Sequence, residues 1–130
     1  LWRGNSFEAL KRSDDAMKDY LRGLIACSYY DFSGGWPEIK ASNVPIYTNS
    51  DDPENTQRVK DYAQYRETID LQRFLLRQRY YLIRAVKRIS SELSLKDEQV
   101  IKHLAELTPD STRFESIMTL LKSENKRPWP

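Results

Sequence analysis

The sequence is poor in the residues that form covalent cross-links and metal sites. It contains one cysteine, Cys27, and one histidine, His103, among 130 residues. A single cysteine cannot form an internal disulfide, and a single histidine leaves no metal site with the usual ligand spacing. No apolar run approaches the ~18 residues that a membrane-spanning helix needs. The sequence therefore predicts a fold held by its hydrophobic core, with no metal and no cofactor.

The usual signs of catalysis are also missing. Glycine occurs four times, and the pair Gly34–Gly35 stands alone, not within a phosphate-binding loop. Adjacent acids such as Asp14–Asp15 are typical of exposed helix faces, not of an acid-base pair in a cleft. His103 lies in a short amphipathic stretch that favours a boundary position. Cys27 follows apolar neighbours and is interpreted as a small core residue, not a nucleophile. We therefore predict no catalytic residue and no enzymatic activity.

What the sequence does contain is helical periodicity, above all over residues 53–93. No glycine or proline follows Pro53 in this stretch, and Asp52 is a suitable cap before it. Apolar residues recur at helical spacing in two adjacent series, namely Leu75, Leu82, Val86, Ile89 and Leu93, and Leu76, Tyr80 and Ile83. So wide an apolar arc predicts a central helix with neighbours around it. Unbroken, it would be about 60 Å long; a kink or second start near Thr68–Asp70 is the alternative.

Three further stretches have the spacing of amphipathic helices, over about 6–30, 95–107 and 109–124. The first of these is predicted to turn Leu10, Met17, Leu21, Leu24 and Cys27 inward, and Arg12, Asp15, Lys18 and Asp19 outward. Pro109 is expected at the first position of the last helix. The fold class is therefore all-α: one domain over residues 1–130, built as a four-helix up-down bundle with a long first connection (residues 33–52) and an extended C-terminal tail.

The first connection combines turn residues with large apolar side chains. About 20 residues without helical period are unusual in a compact domain and are often functional. Trp36 and Tyr47 in this segment either seal the end of the core or belong to a docking surface. Both interpretations stay open, and both residues are counted as candidate partner-binding residues.

Positive charge is concentrated in one part of the long helix. Residues 71–90 contain no acid and six cations, which are Arg73, Arg77, Arg79, Arg84, Lys87 and Arg88. Spacings of four, seven and four residues place Arg73, Arg77, Arg84 and Arg88 on one helix face. The rest of the chain carries more acids than bases. These six cations are the main candidates for binding a partner.

Three hypotheses explain this concentration of charge. The cations could pair internally with acids on neighbouring helices, such as Asp14, Asp15, Asp19 or Glu106. They could dock on an acidic protein surface, where complementary charge steers association. They could also bind nucleic acid, with arginines on phosphates and Tyr80 and Tyr81 stacked on bases. The formal net charge of only +2 argues against the third hypothesis.

The basic segment and the stretches after it resemble a known family. The residues are LRQRYYLIRAVKRIS at 76–90, LKDE at 95–98 and LAEL at 104–107. This pattern is similar to the helical core of PsbQ-like extrinsic subunits of photosystem II. It consists of an arginine-rich segment leading to Tyr-Leu, an apolar-lysine run that ends in Ile-Ser, and a Lys-Asp-Glu that opens the next helix. The diverged form found in diatoms and red algae is the better match, over about residues 70–120.

The resemblance implies a non-catalytic four-helix bundle in the chloroplast thylakoid lumen, peripheral to the membrane and not inserted in it. Such a subunit docks by charge pairing on the lumenal face of photosystem II, against its core and other extrinsic subunits. It supports oxygen evolution by helping to retain calcium and chloride at the manganese cluster, and binds no cofactor of its own. The alternatives are a nucleic-acid-binding helical domain that uses the basic face of residues 73–88 and a generic helical protein-interaction module.

Overall fold

The structure, a computed structural model, describes residues 1–40, 44 and 53–130. All regular elements in these ranges are helices, and none of the described residues forms a strand. The helices are α1 (Trp2–Ala9), α2 (Ser13–Cys27), α3 (Pro53–Glu92), α4 (Asp97–Leu107) and α5 (Thr112–Lys122). The prediction of an all-α chain is confirmed. No helix within the described ranges is both long and apolar enough to cross a membrane.

The long helix α3 forms as the sequence predicts and contains 40 residues. It continues through Thr68–Asp70 without a second start, because no glycine or proline interrupts its hydrogen bonds. The hydroxyl of Thr68 donates to the carbonyl oxygen of Gln64 one turn earlier, at 3.1 Å. The expected cap Asp52 lies outside the described residues.

The predicted first helix over residues 6–30 is wrong, because the chain turns back between α1 and α2. Lys11 adopts a φ of 59° in the left-handed region. The backbone N–H of Arg12 donates to Phe7 and that of Lys11 to Glu8, both at 2.8 Å. This hydrogen-bond pattern is the Schellman motif, in which glycine usually occupies the left-handed position. Lysine occupies it here, so the sequence carries no signal for the helix end.

Two side chains of this region therefore lie opposite to their predicted positions. Leu10, which is expected in the core, lies at the end of α1, and its side chain is 68% exposed. Asp19, expected in solvent, is buried and accepts hydrogen bonds from Arg3 at 2.5 and 2.6 Å and from Arg22 at 2.6 Å. The hydrogen bond from Arg3 holds the pKa of the Asp19 carboxyl below its ordinary value. Since Arg3 lies on α1, this ion pair fastens α1 to α2.

The central element is α2, not α3. Seven of the 15 residues of α2 are buried, and it contacts each of the other four helices. Met17, Leu21, Leu24 and Cys27 point inward as predicted, and they pack in one cluster with Leu82, Val86, Ile89, Val100, Leu104, Ile117 and Met118. Within α3 only the C-terminal half enters this cluster, and Leu75 is half-buried and does not belong to it. The prediction of a central α3 is therefore wrong.

The last two helices begin later than predicted. Pro109 precedes α5 and does not open it, since α5 begins three residues later, at Thr112. The carboxylate of Asp110 then accepts a hydrogen bond from the backbone N–H of Thr112 at 3.1 Å. This local turn sets the start of α5.

Candidate partner-docking surface

The basic face of α3 consists of Arg73, Arg77, Arg84 and Arg88, which lie on one side of the helix as their spacing predicts. Arg77 and Arg84 are exposed, and neither forms an ion pair with a described residue. No acid occurs between residues 71 and 91 to neutralise them along the helix. These two arginines therefore carry positive charge that no acid neutralises within the described residues.

Trp36 lies against the N-terminal end of the basic face. The guanidinium carbon of Arg73 lies 5.5 Å from the centre of the Trp36 ring, and that of Arg77 lies 5.7 Å from it. Arg73 also donates from Nε to the carbonyl oxygen of Pro37 at 2.9 Å. The segment after α2 is thus held on α3 by cation–π contacts, which leave the positive charges in place. Tyr47, the other candidate from this connection, lies outside the described residues.

Arg79 and Lys87 have contacts within the chain. Arg79 is half-buried, with its guanidinium carbon 4.4 Å from the centre of the Phe32 ring, and burial lowers its pKa. Lys87 donates from Nζ to the carbonyl oxygen of Ser123 at 2.6 Å, which ties α3 to the end of α5. Their role in partner binding stays a prediction.

The acids named as internal partners bind other groups. Asp15 pairs with Arg12 at 2.7 Å, Glu106 with Lys18 at 3.3 Å, and Asp19 with Arg3 and Arg22. Within the described part of the chain, the basic face forms one ion pair, between Arg88 and Glu8 at 2.7 Å. Internal pairing through the named acids is therefore wrong, and three of the four arginines keep no acidic partner there.

Glu8 was missed because its contact depends on the turn between α1 and α2. The single hydroxyl proton of Tyr20 is shared between two acceptors, the carboxylate of Glu8 and the side-chain oxygen of Asn5, which lies 2.7 Å from the hydroxyl oxygen. The pKa of Tyr20 is raised, mainly because its side chain is buried and secondly because Glu8 accepts a hydrogen bond from it. This network joins α1, α2 and the C-terminal end of the basic face.

A recess of about 370 Å³ opens beside this network. Arg84 and Arg88 line it from α3, together with Tyr81 and Ala85, and α1 contributes Asn5 and the adjacent Leu1. Arg84 has no ion-pair partner among the described residues, so the recess presents an uncompensated cation. A carboxylate is the kind of group that such a recess would accept.

The C-terminal tail packs on the same face, which the sequence did not predict. The ring of Trp129 lies 5.1 Å from that of Tyr80 and 5.8 Å from that of Tyr81. Asn125 holds the tail by donating from its side chain to the carbonyl oxygen of Tyr80 at 3.0 Å. The tail therefore packs on α3 through Tyr80 and Tyr81.

Exposed apolar side chains run beside the basic face. Leu71 is 52% exposed, Phe74 48% and Tyr81 40%. Their spacing of three and seven residues places them in one line along α3. We call Leu71, Phe74 and Tyr81 the apolar row.

Neither candidate for nucleophilic or metal chemistry lies in a built site. Cys27 is 5% exposed, and burial raises the pKa of its thiol, which favours the unreactive protonated form. His103 Nε2 lies 3.6 Å from a carboxylate oxygen of Asp14, and its buried Nδ1 has no hydrogen-bond partner among the described residues. No group of three or more histidine, cysteine or acidic side chains able to hold a metal occurs in the part of the chain that the structure describes.

No protein-family model matches the chain, and neither a curated protein nor a solved structure is significantly similar to it.

Proposed function

We propose that the chain is a non-catalytic docking subunit that binds an acidic protein surface through the basic face of α3. The proposal is supported by the exposed Arg77 and Arg84, which have no ion pair among the described residues and no acid near them along the helix. Exposed charge pairs contribute only ~0.2–1 kcal/mol each. The arginines would therefore act together, mainly by raising the association rate and the salt sensitivity of binding.

The proposed partner is photosystem II. The resemblance of residues 76–107 to PsbQ-like subunits supports this choice, and with it a place in the thylakoid lumen, peripheral to the membrane. In this proposal α2, α3, α4 and α5 form the up-down bundle of that family, and α1 is an addition that packs on α2. The short α3–α4 and α4–α5 connections favour such a bundle. The subunit would help to retain calcium and chloride at the manganese cluster without a cofactor of its own.

Nucleic-acid binding has less support. Stacking on bases needs free aromatic rings, whereas the rings of Tyr80 and Tyr81 are in contact with Trp129. The formal net charge of +2 is also small for a phosphate-binding surface. A generic interaction module with another acidic partner would use the same face, and the choice of partner in the following experiment separates it from the proposal.

The double variant Arg77→Gln/Arg84→Gln should weaken binding to salt-washed photosystem II by roughly twofold to thirtyfold at low salt. Binding should also depend less on salt, because fewer charges contribute. The midpoint of thermal unfolding should fall only slightly, since neither arginine has an ion pair with a described residue and the variant loses one cation–π contact, that of Arg77 with Trp36. Co-sedimentation over a salt series and thermal unfolding measure both quantities.

The matched control is Lys60→Gln/Lys102→Gln, which removes two exposed cations elsewhere and should leave binding unchanged. A loss of stability in the Arg77/Arg84 double variant, with unchanged salt dependence of binding, would contradict the docking role of these residues. Retention of the wild type on DNA or RNA, with no binding to photosystem II, would favour the nucleic-acid alternative.

A further inference from the structure

We propose that the cavity beside Arg79 is a binding site for a small aliphatic carboxylate. This cavity has a volume of about 180 Å³ and lies between α3, the end of α5 and the C-terminal tail. The proposal comes from two observations, the missing acceptor of Arg79 and the lining of the cavity. It goes beyond the docking function and does not depend on it.

Arg79 is an exception among the partly buried lysines and arginines of the described residues. The other four lie at most 3.3 Å from a carbonyl or carboxylate oxygen, namely Lys18, Arg73, Lys87 and Arg113. Arg79 has neither an acidic partner nor a hydrogen-bond acceptor in the part of the chain that the structure describes. A partly desolvated cation without an acceptor destabilises the fold, which a bound anion would offset.

The guanidinium of Arg79 has donors that a carboxylate can use. Its carbon lies over the ring of Phe32, 4.4 Å from the ring centre. The ring supplies no oxygen or nitrogen acceptor, so the N–H donors of the guanidinium keep their capacity for hydrogen bonds. Arginine frequently binds a carboxylate through two parallel hydrogen bonds, and we expect this arrangement in the cavity.

The cavity combines this cation with apolar side chains. Leu76 and Ile83 line it from α3, where both are buried, and Leu120 lines it from α5. The other charged side chains in the lining are Lys126 and Glu124, which pair with each other at 3.8 Å. The lining therefore carries one net positive charge beside an apolar wall, which matches a monoanion with a short apolar body.

The volume of the cavity also indicates a small ligand. It is below the ~300–1,000 Å³ of most sites for larger organic ligands. It equals the liquid volume of about six water molecules, and butyrate has about as many non-hydrogen atoms. Inorganic phosphate brings more negative charge and no apolar part, so it matches this lining less well.

The test uses sodium butyrate as the probe, titrated into the full chain at constant ionic strength. Two-dimensional NMR of the ¹⁵N-labelled protein follows the Nε–H signal of Arg79 and the backbone amides of residues 124–126. These signals should shift saturably, with a Kd of about 1–10 mM. Butyramide keeps the apolar body without the charge. Butyramide and inorganic phosphate should each bind at least about tenfold more weakly than butyrate.

Three variants test the assignment of the site to Arg79. Arg79→Gln should weaken butyrate binding at least about tenfold, because it removes the charge and the paired donors. Glu124→Gln should strengthen binding about twofold, because it removes a like charge from the lining. Arg66→Gln is the matched control, which removes an exposed arginine from the same helix and should leave binding unchanged.

The absence of saturable shifts in the wild type, equal binding of butyramide or phosphate, or wild-type affinity in Arg79→Gln would each overturn the proposal. If Arg79→Gln does not fold, the butyramide comparison and Glu124→Gln still decide, because both leave Arg79 in place. Unchanged or weaker binding by Glu124→Gln would then count against the site.

Discussion

Replacing Leu82 with alanine should lower the free energy of unfolding by about 2–5 kcal/mol, the largest effect that we expect from a single substitution. The side chain of Leu82 is 2% exposed and belongs to the main core cluster. Alanine would lose the transfer free energy of the removed methyl groups and leave a cavity. Leu71→Ala is the matched control on the same helix, because Leu71 is 52% exposed and its truncation should change stability by less than about 0.5 kcal/mol.

A second test of how Leu82 packs uses Gly23 of α2, which lies against Leu82. A Cβ atom at Gly23 would lie 2.8 Å from Cδ1 of Leu82 and 3.0 Å from Cδ2. Gly23→Ala in the wild type therefore overpacks the α2–α3 contact, at about 1–3 kcal/mol, against a gain of up to ~1 kcal/mol in helix propensity. In the Leu82→Ala background the new methyl group enters the vacated space, and the double variant should be more stable than the sum of the single effects.

Urea unfolding of the wild type, both single variants and the double variant measures this coupling free energy. Strict additivity would mean that Gly23 and Leu82 do not approach each other. A cost for Leu82→Ala as small as that of Leu71→Ala would place Leu82 outside the core.

Gly4→Ala should lower the free energy of unfolding by about 1–3 kcal/mol, although it adds a single methyl group. The added Cβ would lie 2.7 Å from Cδ1 of Tyr20 and closer still to its Cε1. Tyr20 is fully buried, and its hydroxyl is held by Asn5 and Glu8, so the ring cannot move aside. The strain should be relieved by displacement of α1 from α2, which would also release Glu8 from Arg88.

Thermal unfolding and amide hydrogen exchange test this outcome, with faster exchange in α1 as the expected sign. Gly34→Ala is the control, because a Cβ there would meet no heavy atom of a described residue within 4 Å, and stability should not change. Wild-type stability and unchanged exchange in α1 for Gly4→Ala would contradict the packing of Gly4 on Tyr20.

The sequence predicts α3 well because its signal is local. A stretch without glycine or proline that carries two adjacent apolar series can form little else than a long helix. The turn between α1 and α2 has no such local signal. Lys11 takes the left-handed position that glycine usually marks, and Leu10 continues the apolar period past the helix end. Because the sequence does not predict this turn, it predicts α1 and α2 as one helix, with Leu10 in the core and Asp19 in solvent.

The candidate site likewise has a part that the sequence predicts and a part that it does not. Helical spacing alone places the four arginines of the basic face on one side of α3, and they lie there. Their partners depend on residues that are distant in sequence and could not be predicted. Glu8 reaches Arg88 only because α1 folds back, and Trp129 reaches Tyr80 because the tail returns along α3. The prolines of the tail predict only that no helix continues there.

Hydroxyl-radical footprinting of the chain bound to salt-washed photosystem II tests most directly whether this face of α3 is the docking surface. Oxidation of Phe74 and Tyr81 should fall strongly on binding, because a partner that covers the basic face also covers the adjacent apolar row. Trp2 and Tyr30, which are 85% and 51% exposed and lie off α3, should stay as reactive as in the free chain. Undiminished oxidation of Phe74 and Tyr81 in a chain that is demonstrably bound would contradict docking through this face.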